Sequence, residues 1–156
     1  MKNIIILFFC FLLTISCEQH SKNTLNLTAS VQRNDELKEN PLLMKPITSS
    51  INPENSTMST FYGNDIAFNY AQRHPDADYP ENAILYEVTW KQKPDEVWFG
   101  GNIPKEIYSV EKISFTDSRS VYERYEGKPL RRILGNNTKD QLRKEIILDQ
   151  RMAVSP

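Results

Sequence analysis

The chain has almost no thiol. Its only cysteines, Cys10 and Cys17, fall within the first 17 of 156 residues, so everything beyond them lacks a disulfide, a cysteine-held metal and a thiol nucleophile. Histidine is as scarce. His20 and His74 stand far apart, which argues against a histidine-ligated metal centre. An excess of one charge is missing too: the formal net charge is -1, which removes the electrostatic reason to expect nucleic acid as a partner. Catalytic signatures are also absent. There is no G-x-S-x-G, no H-E-x-x-H, no glycine-rich phosphate loop and no spaced acidic metal motif.

What is present begins with an apolar run. Residues 4–13 are unbroken hydrophobics after a single lysine, and small or polar residues lead on to Cys17. The run is shorter than the about 20 residues that a membrane-crossing helix needs, and its flanks suit a secretory signal peptide. Leu13-Thr14-Ile15-Ser16-Cys17 resembles a bacterial lipobox. That resemblance implies cleavage after residue 16 and acylation of Cys17, giving a membrane-anchored lipoprotein of the bacterial cell envelope, placed at the outer membrane. Several acyl chains, at about 0.8 kcal/mol per buried methylene, anchor stably where one does not.

Residues 18–55 read as a flexible tether behind the acylated cysteine. They are rich in Ser, Asn, Thr, Lys and Glu, lack aromatics and carry Pro41, Pro46 and Pro53, so little apolar surface is there to offset the entropy of ordering. On this reading the stretch is dispensable for folding, and a single domain spans residues 56–156.

Within that domain, residues 79–115 are the organising stretch. A strand is expected over residues 83–92, where Ile84, Tyr86, Val88 and Trp90 alternate with Leu85, Glu87, Thr89 and Lys91. If the second set faces a concavity, Glu87, Thr89 and Lys91 are pocket groups. If it faces water they are ordinary outer-face residues, and this solvated reading is the one taken. Lys93-Pro94-Asp95 breaks the strand, an aromatic loop with Trp98, Phe99, Gly100 and Gly101 follows, and a second strand covers residues 107–115. Upstream, a short strand over residues 57–62 precedes Gly63 and a helix over residues 65–73, capped by Asn64 or Asp65 and offering Ile66, Phe68, Tyr70 and Ala71 for burial. His74 follows the end of that helix as a surface residue. Downstream come a strand within residues 118–130 and, after a Thr138/Gln141 capping signal, a helix over residues 139–152 with Leu142, Ile146 and Ile147 inward. The class expected is α+β, an antiparallel sheet of four to five strands with packed helices.

Residues 58–67 (MSTFYGNDIA) and 79–92 (YPENAILYEVTWKQ), with Ser109-Val110-Glu111 and Tyr125-Glu126-Gly127, resemble the cytochrome P-460 family domain over roughly residues 58–130. The resemblance implies that fold. Haem-bearing members of the family hold their cofactor through Cys-x-x-Cys-His, and this chain has neither Cys nor His after His74, so covalent c-type haem is excluded on chemical grounds. The family's cross-linking lysine aligns with Glu87, and Lys91 matches a different family position. Two expectations result. One is a cell-envelope lipoprotein whose haem-less domain binds a small molecule or partner protein in the old cofactor cleft, lined by Glu87, Thr89, Lys91, Trp98 and Phe99. In a competing reading of the loop, Trp98 and Phe99 simply close the core beneath it. The other is a redox enzyme holding haem non-covalently, through His74, Met58, Met152 or a tyrosine. Glu87 and Lys91 make no acid–base pair, since four residues along one strand separate them by about 13 Å.

Overall fold

A computed structural model describes residues 26–117, 119–135 and 137–153; the expected signal peptide and Cys17 lie outside them. Two short 3-10 turns, Leu27–Ala29 and Pro41–Leu43, lead into β1 (Lys45–Asn52) and β2 (Thr57–Gly63). Helix α1 (Asp65–Ala71) precedes β3 (Ile84–Pro94) and β4 (Asn102–Thr116), the longest strands. β5 (Arg119–Glu126), β6 (Arg131–Ile133) and helix α2 (Asn137–Leu148) follow. The six strands form one sheet in sequence order, every pair antiparallel. The α+β class is as expected, with more strands than the four to five anticipated.

Local chemistry explains the β2–α1–β3 unit. The Asn64 side chain accepts from the Ala67 amide at 3.0 Å, which caps α1. The same oxygen accepts from the Ile84 amide at 3.2 Å, and the Asn64 amide group donates to the Asn82 carbonyl at 2.8 Å. One side chain thus fixes both the start of the helix and the start of β3. Gly63 is required just before it: a Cβ there would lie 2.9 Å from Ile47 Cδ1 and 3.0 Å from Ala67 Cβ. β4 carries two bulges opposite β3, between the partners of Thr89 and Trp90 and between those of Lys91 and Gln92. Bulges bend a strand and raise its twist.

The sheet is covered on both faces. On one, Phe61, Leu85 and Ile113 pack with Ala67 of α1, Ile147 of α2 and Ile47 of β1. On the other, Tyr86, Val88, Trp90, Val110, Tyr125 and Leu130 form a second core, packed against Ala29, Val31, Leu37, Leu42 and Met44. The second core overturns the tether. From Asn26 onward, the stretch expected to be flexible is the lid on one whole face of the sheet, and its last part is an edge strand. Its polar groups hold it there. Trp90 Nε1 donates to the Ala29 carbonyl at 2.9 Å, the Glu36 amide to the Leu130 carbonyl at 3.0 Å, and the Leu130 amide to Asp35 at 2.8 Å. The domain boundary therefore lies well before residue 56. β1 reads as loop because only Ile47 of its residues is buried and because it contains Pro46, which an edge strand tolerates.

The helices differ in detail from expectation. α1 buries Ala67 fully and Phe68, Tyr70 and Ala71 partly, while Ile66 is exposed. In α2, Ile147 is buried but Leu142 and Ile146 face solvent. The inward line of α2 runs instead through Arg143 and Ile147, one turn apart on the same side, because a buried charge on the sheet draws Arg143 inward.

Candidate functional site

That charge comes from β3 and β4. Register places Glu87 directly across from Glu111, and Glu111 across from Arg124 of β5. Both glutamates are buried, at 3% exposure each, on the face that also carries Leu85 and Ile113. Arg143 reaches down from α2 between them. Its Nε donates to Glu111 Oε1 at 2.9 Å and its Nη2 to Glu111 Oε2 at 2.8 Å, while Nη2 also contacts Glu87 Oε2. Two neutral donors complete the cluster: Gln150 Nε2 on Glu87 Oε1 at 2.9 Å, and the Tyr122 hydroxyl on Glu111 Oε1.

The two carboxyls are pushed in opposite directions. Burial raises that of Glu87 above the ordinary glutamate value, against the pull of Arg143 and Gln150. Burial works to raise Glu111 as well, but hydrogen bonds from Arg143 and Tyr122 and the charges of Arg143 and Arg124 outweigh it and hold the carboxyl low. Burial opposes the charge on Arg143, yet its bonds to Glu111 and the charge of Glu87 keep it more firmly protonated than usual. Each shift has its own cause: desolvation for the first carboxyl, a bidentate guanidinium for the second.

Beyond this cluster, away from α2, the same face opens into a cavity of about 550 Å³. Its floor is a row of hydroxyls. Ser59, Thr89 and Ser109 stand in register across β2, β3 and β4, with Ser59 and Thr89 hydrogen-bonded at 2.9 Å. Lys91, Tyr108 and Arg124 border it. Lys91 Nζ stands 3.9 Å from Glu106 and 5.7 Å from the centre of the Tyr108 ring. Arg124 contacts Glu126 through Nη2, while its Nε is buried with no hydrogen-bond partner among the described residues.

The expected pocket residues divide. Glu87, Thr89 and Lys91 do line one concavity, so the solvated reading of that strand face gives way, because α2 and the bulged β4 enclose it. Trp98 and Phe99 do not join them. They stand at the tip of the β3–β4 hairpin, exposed by 73% and 109%, neither lining the cavity nor closing a core. The sequence reading missed Glu111, Arg124 and Arg143, which the cavity needs. A signal for Glu111 was available: it alternates with Ser109 and Ile113 on a strand whose neighbour carries Glu87. Arg143 gave none, since one arginine among the charges of α2 looks like any other.

The donor set does not fit haem. Charged groups and hydroxyls make the wall, and an apolar macrocycle would leave them unpaired. His74 stacks on Tyr70, with ring centres 4.3 Å apart, and does not border the cavity. Met58 packs with the opposite core beside Trp90, and Met152 with the core under α2. Only Tyr108 among the candidate axial ligands borders the cavity. Among the described residues no cluster of three or more His, Cys, Asp or Glu is placed to hold a metal ion, and no helix is long and apolar enough to cross a membrane. Comparison with protein-family models and with curated proteins finds no match for this chain.

Proposed function

We propose that this chain is a binding module, carried by a cell-envelope lipoprotein acylated on Cys17, which takes a small polar ligand into the concave cavity on the α2 face of the sheet. The domain is read as a haem-less relative of the cytochrome P-460 fold. In support, Glu87, at the position matched to the family's cross-linking lysine, is buried and held by Arg143 and Gln150. The observation that carries the binding reading is the floor of the cavity. A sheet face buried for packing alone would be apolar, as the opposite face is. This one presents Ser59, Thr89 and Ser109 in a row, with Lys91 and Arg124 bordering the cavity above them.

The cations that border the cavity, Lys91 and Arg124, favour a ligand carrying a carboxylate or a similar anionic group. The Glu87–Arg143–Glu111 cluster forms the closed end and fixes α2 over it. The opposed shifts of the two carboxyls resemble the pattern of an acid–base pair. Their oxygens are already taken by Arg143, Gln150 and Tyr122, so the cluster acts as a wall.

The test is calorimetric titration of the purified chain with citrate, glucose and haemin, alongside Arg124→Ala. The expected result is saturable binding of the anionic probe, weakened at least about tenfold by Arg124→Ala, the effect of about 1.4 kcal/mol lost at one contact. A saturable one-to-one haemin complex, with a Soret band lost in Tyr108→Phe, would overturn the binding reading in favour of a redox protein.

A further inference from the structure

The β3–β4 hairpin ends in a turn that the cavity does not use. Val97, Trp98 and Phe99 project from it, exposed by 82%, 73% and 109%. The turn needs none of them for its shape. Asp95 Oδ1 accepts from the Val97 amide at 2.8 Å and the Trp98 amide at 3.3 Å, and Asp95 and Gly101 bond back across the turn at 2.9 Å. Gly100, at φ +81°, supplies the left-handed residue that closes it. A turn held by its own backbone thus presents three adjacent large apolar side chains to the outside. Contiguous exposed apolar surface of this kind marks a contact site.

The N-terminal chain indicates what the contact is with. Asn26 Nδ2 donates to the Pro104 and Lys105 carbonyls, both at 3.0 Å, and Thr28 Oγ1 donates to the Lys105 carbonyl at 2.7 Å. The described chain therefore starts on β4 only two or three residues from Asn102, where the turn ends. Cys17 precedes Asn26 by nine residues, a chain that spans at most about 30 Å. An acyl group on Cys17 thus tethers this end of the sheet within about 30 Å of the lipid. Charge adds little. Lys93 pairs with Glu96 at 3.8 Å and Lys91 with Glu106 at 3.9 Å, which leaves Lys105 as a cation beside the tip.

We propose that the hairpin tip inserts Trp98 and Phe99 into the phospholipid interface beside the Cys17 anchor, giving the domain a second point of attachment and a fixed orientation on the membrane. This rests on the lipoprotein reading above. Tryptophan suits the headgroup level, where one end of its ring is apolar and the indole N–H stays hydrated.

The test uses the full chain, extracted with its lipid and reconstituted into phosphatidylethanolamine–phosphatidylglycerol vesicles, with or without brominated acyl chains. Trp90 is buried, with its indole bonded to Ala29, so the lipid-sensitive emission belongs to Trp98. Most of that emission should be lost to brominated lipid, and Trp98→Phe should abolish the response while leaving the fold intact, since the side chain touches solvent. The mass of the Cys17 peptide reports the anchor separately. An acylated Cys17 with unquenched Trp98 would overturn the tip proposal alone. Cross-linking of position 98 to a membrane protein without quenching would overturn it in favour of a protein partner. An unmodified Cys17 would refute the anchor, and the tip proposal with it.

Discussion

The two faces of the sheet differ in how they are closed. The face carrying Tyr86, Val88 and Trp90 is closed by the chain's own residues 26–44, and both layers of that contact contribute apolar groups. The face carrying Leu85, Glu87 and Thr89 is closed only at one end, by α1 and α2, and stays open and polar at the other. One strand, β3, serves both, because alternate side chains point to opposite sides. The comparison shows where stability and function separate. The apolar face contributes burial of about 1.5–3 kcal/mol for each large side chain fully covered. The polar face contributes a shaped hollow, whose buried ion cluster is worth little net stability against an apolar equivalent.

The largest expected effect follows from opening the sealed face. A chain starting at Lys45 exposes Tyr86, Val88, Trp90 and Val110 at once and should lose its cooperative melt, since a loss of about 1.5–3 kcal/mol for each is comparable to a typical total stability of about 5–15 kcal/mol. Circular dichroism and binding of an apolar dye would show it. Survival of a sharp transition would mean the segment is the dispensable tether that composition suggests.

On the other face, Arg143→Met leaves two carboxyls buried without their cation. It should cost about 3 kcal/mol at neutral pH in urea denaturation, and the deficit should shrink on acidification as both carboxyls protonate. The single carboxyls sharpen this. Glu87 has a raised folded value, so its contribution is full below the ordinary glutamate range and is lost as pH rises through the folded value. Glu111 has a lowered one, so its contribution is present above that range and is lost as pH falls through the folded value. Glu111→Gln should therefore destabilise at neutral pH. Glu87→Gln should stay within about 1 kcal/mol and gain on the parent chain as pH rises above the ordinary glutamate range. If both substitutions cost the same with the same pH dependence, the cluster is symmetric and the assignment is wrong. The smallest effect belongs outside both faces. Lys45→Gln removes the exposed pair with Asp65, 2.9 Å apart, and should shift stability by no more than about 0.5 kcal/mol.

Legibility in the sequence follows the same division. β3 is readable because Ile, Tyr, Val and Trp alternate with a mixed set over a full strand length, and the Asn64 cap of α1 because the cap is local chemistry. The lid is not readable. Val31 and Leu37 stand alone and Leu42 and Met44 belong to a three-residue apolar run too short to set a period, and their burial depends on a sheet that forms far away in sequence. The site is half readable for a related reason. Glu87, Thr89 and Lys91 share one strand face, so alternation alone groups them. Glu111 and Arg143 reach Glu87 only through strand register and helix docking, contacts separated by 32 and 56 residues from Arg143. Trp98 and Phe99 were misplaced because aromatics beside glycines suggest a pocket wall, whereas the Asp95 turn aims them outward.

Native-state hydrogen exchange at Glu36 tests the account most directly. Its amide belongs to residues 26–44 and bonds to the Leu130 carbonyl at 3.0 Å, on the face that the account says is permanently sealed. The account predicts that this amide exchanges with the same free energy as the amides of β3, opening only when the whole domain unfolds. Exchange at the rate of an unprotected chain, while β3 stays protected, would contradict it.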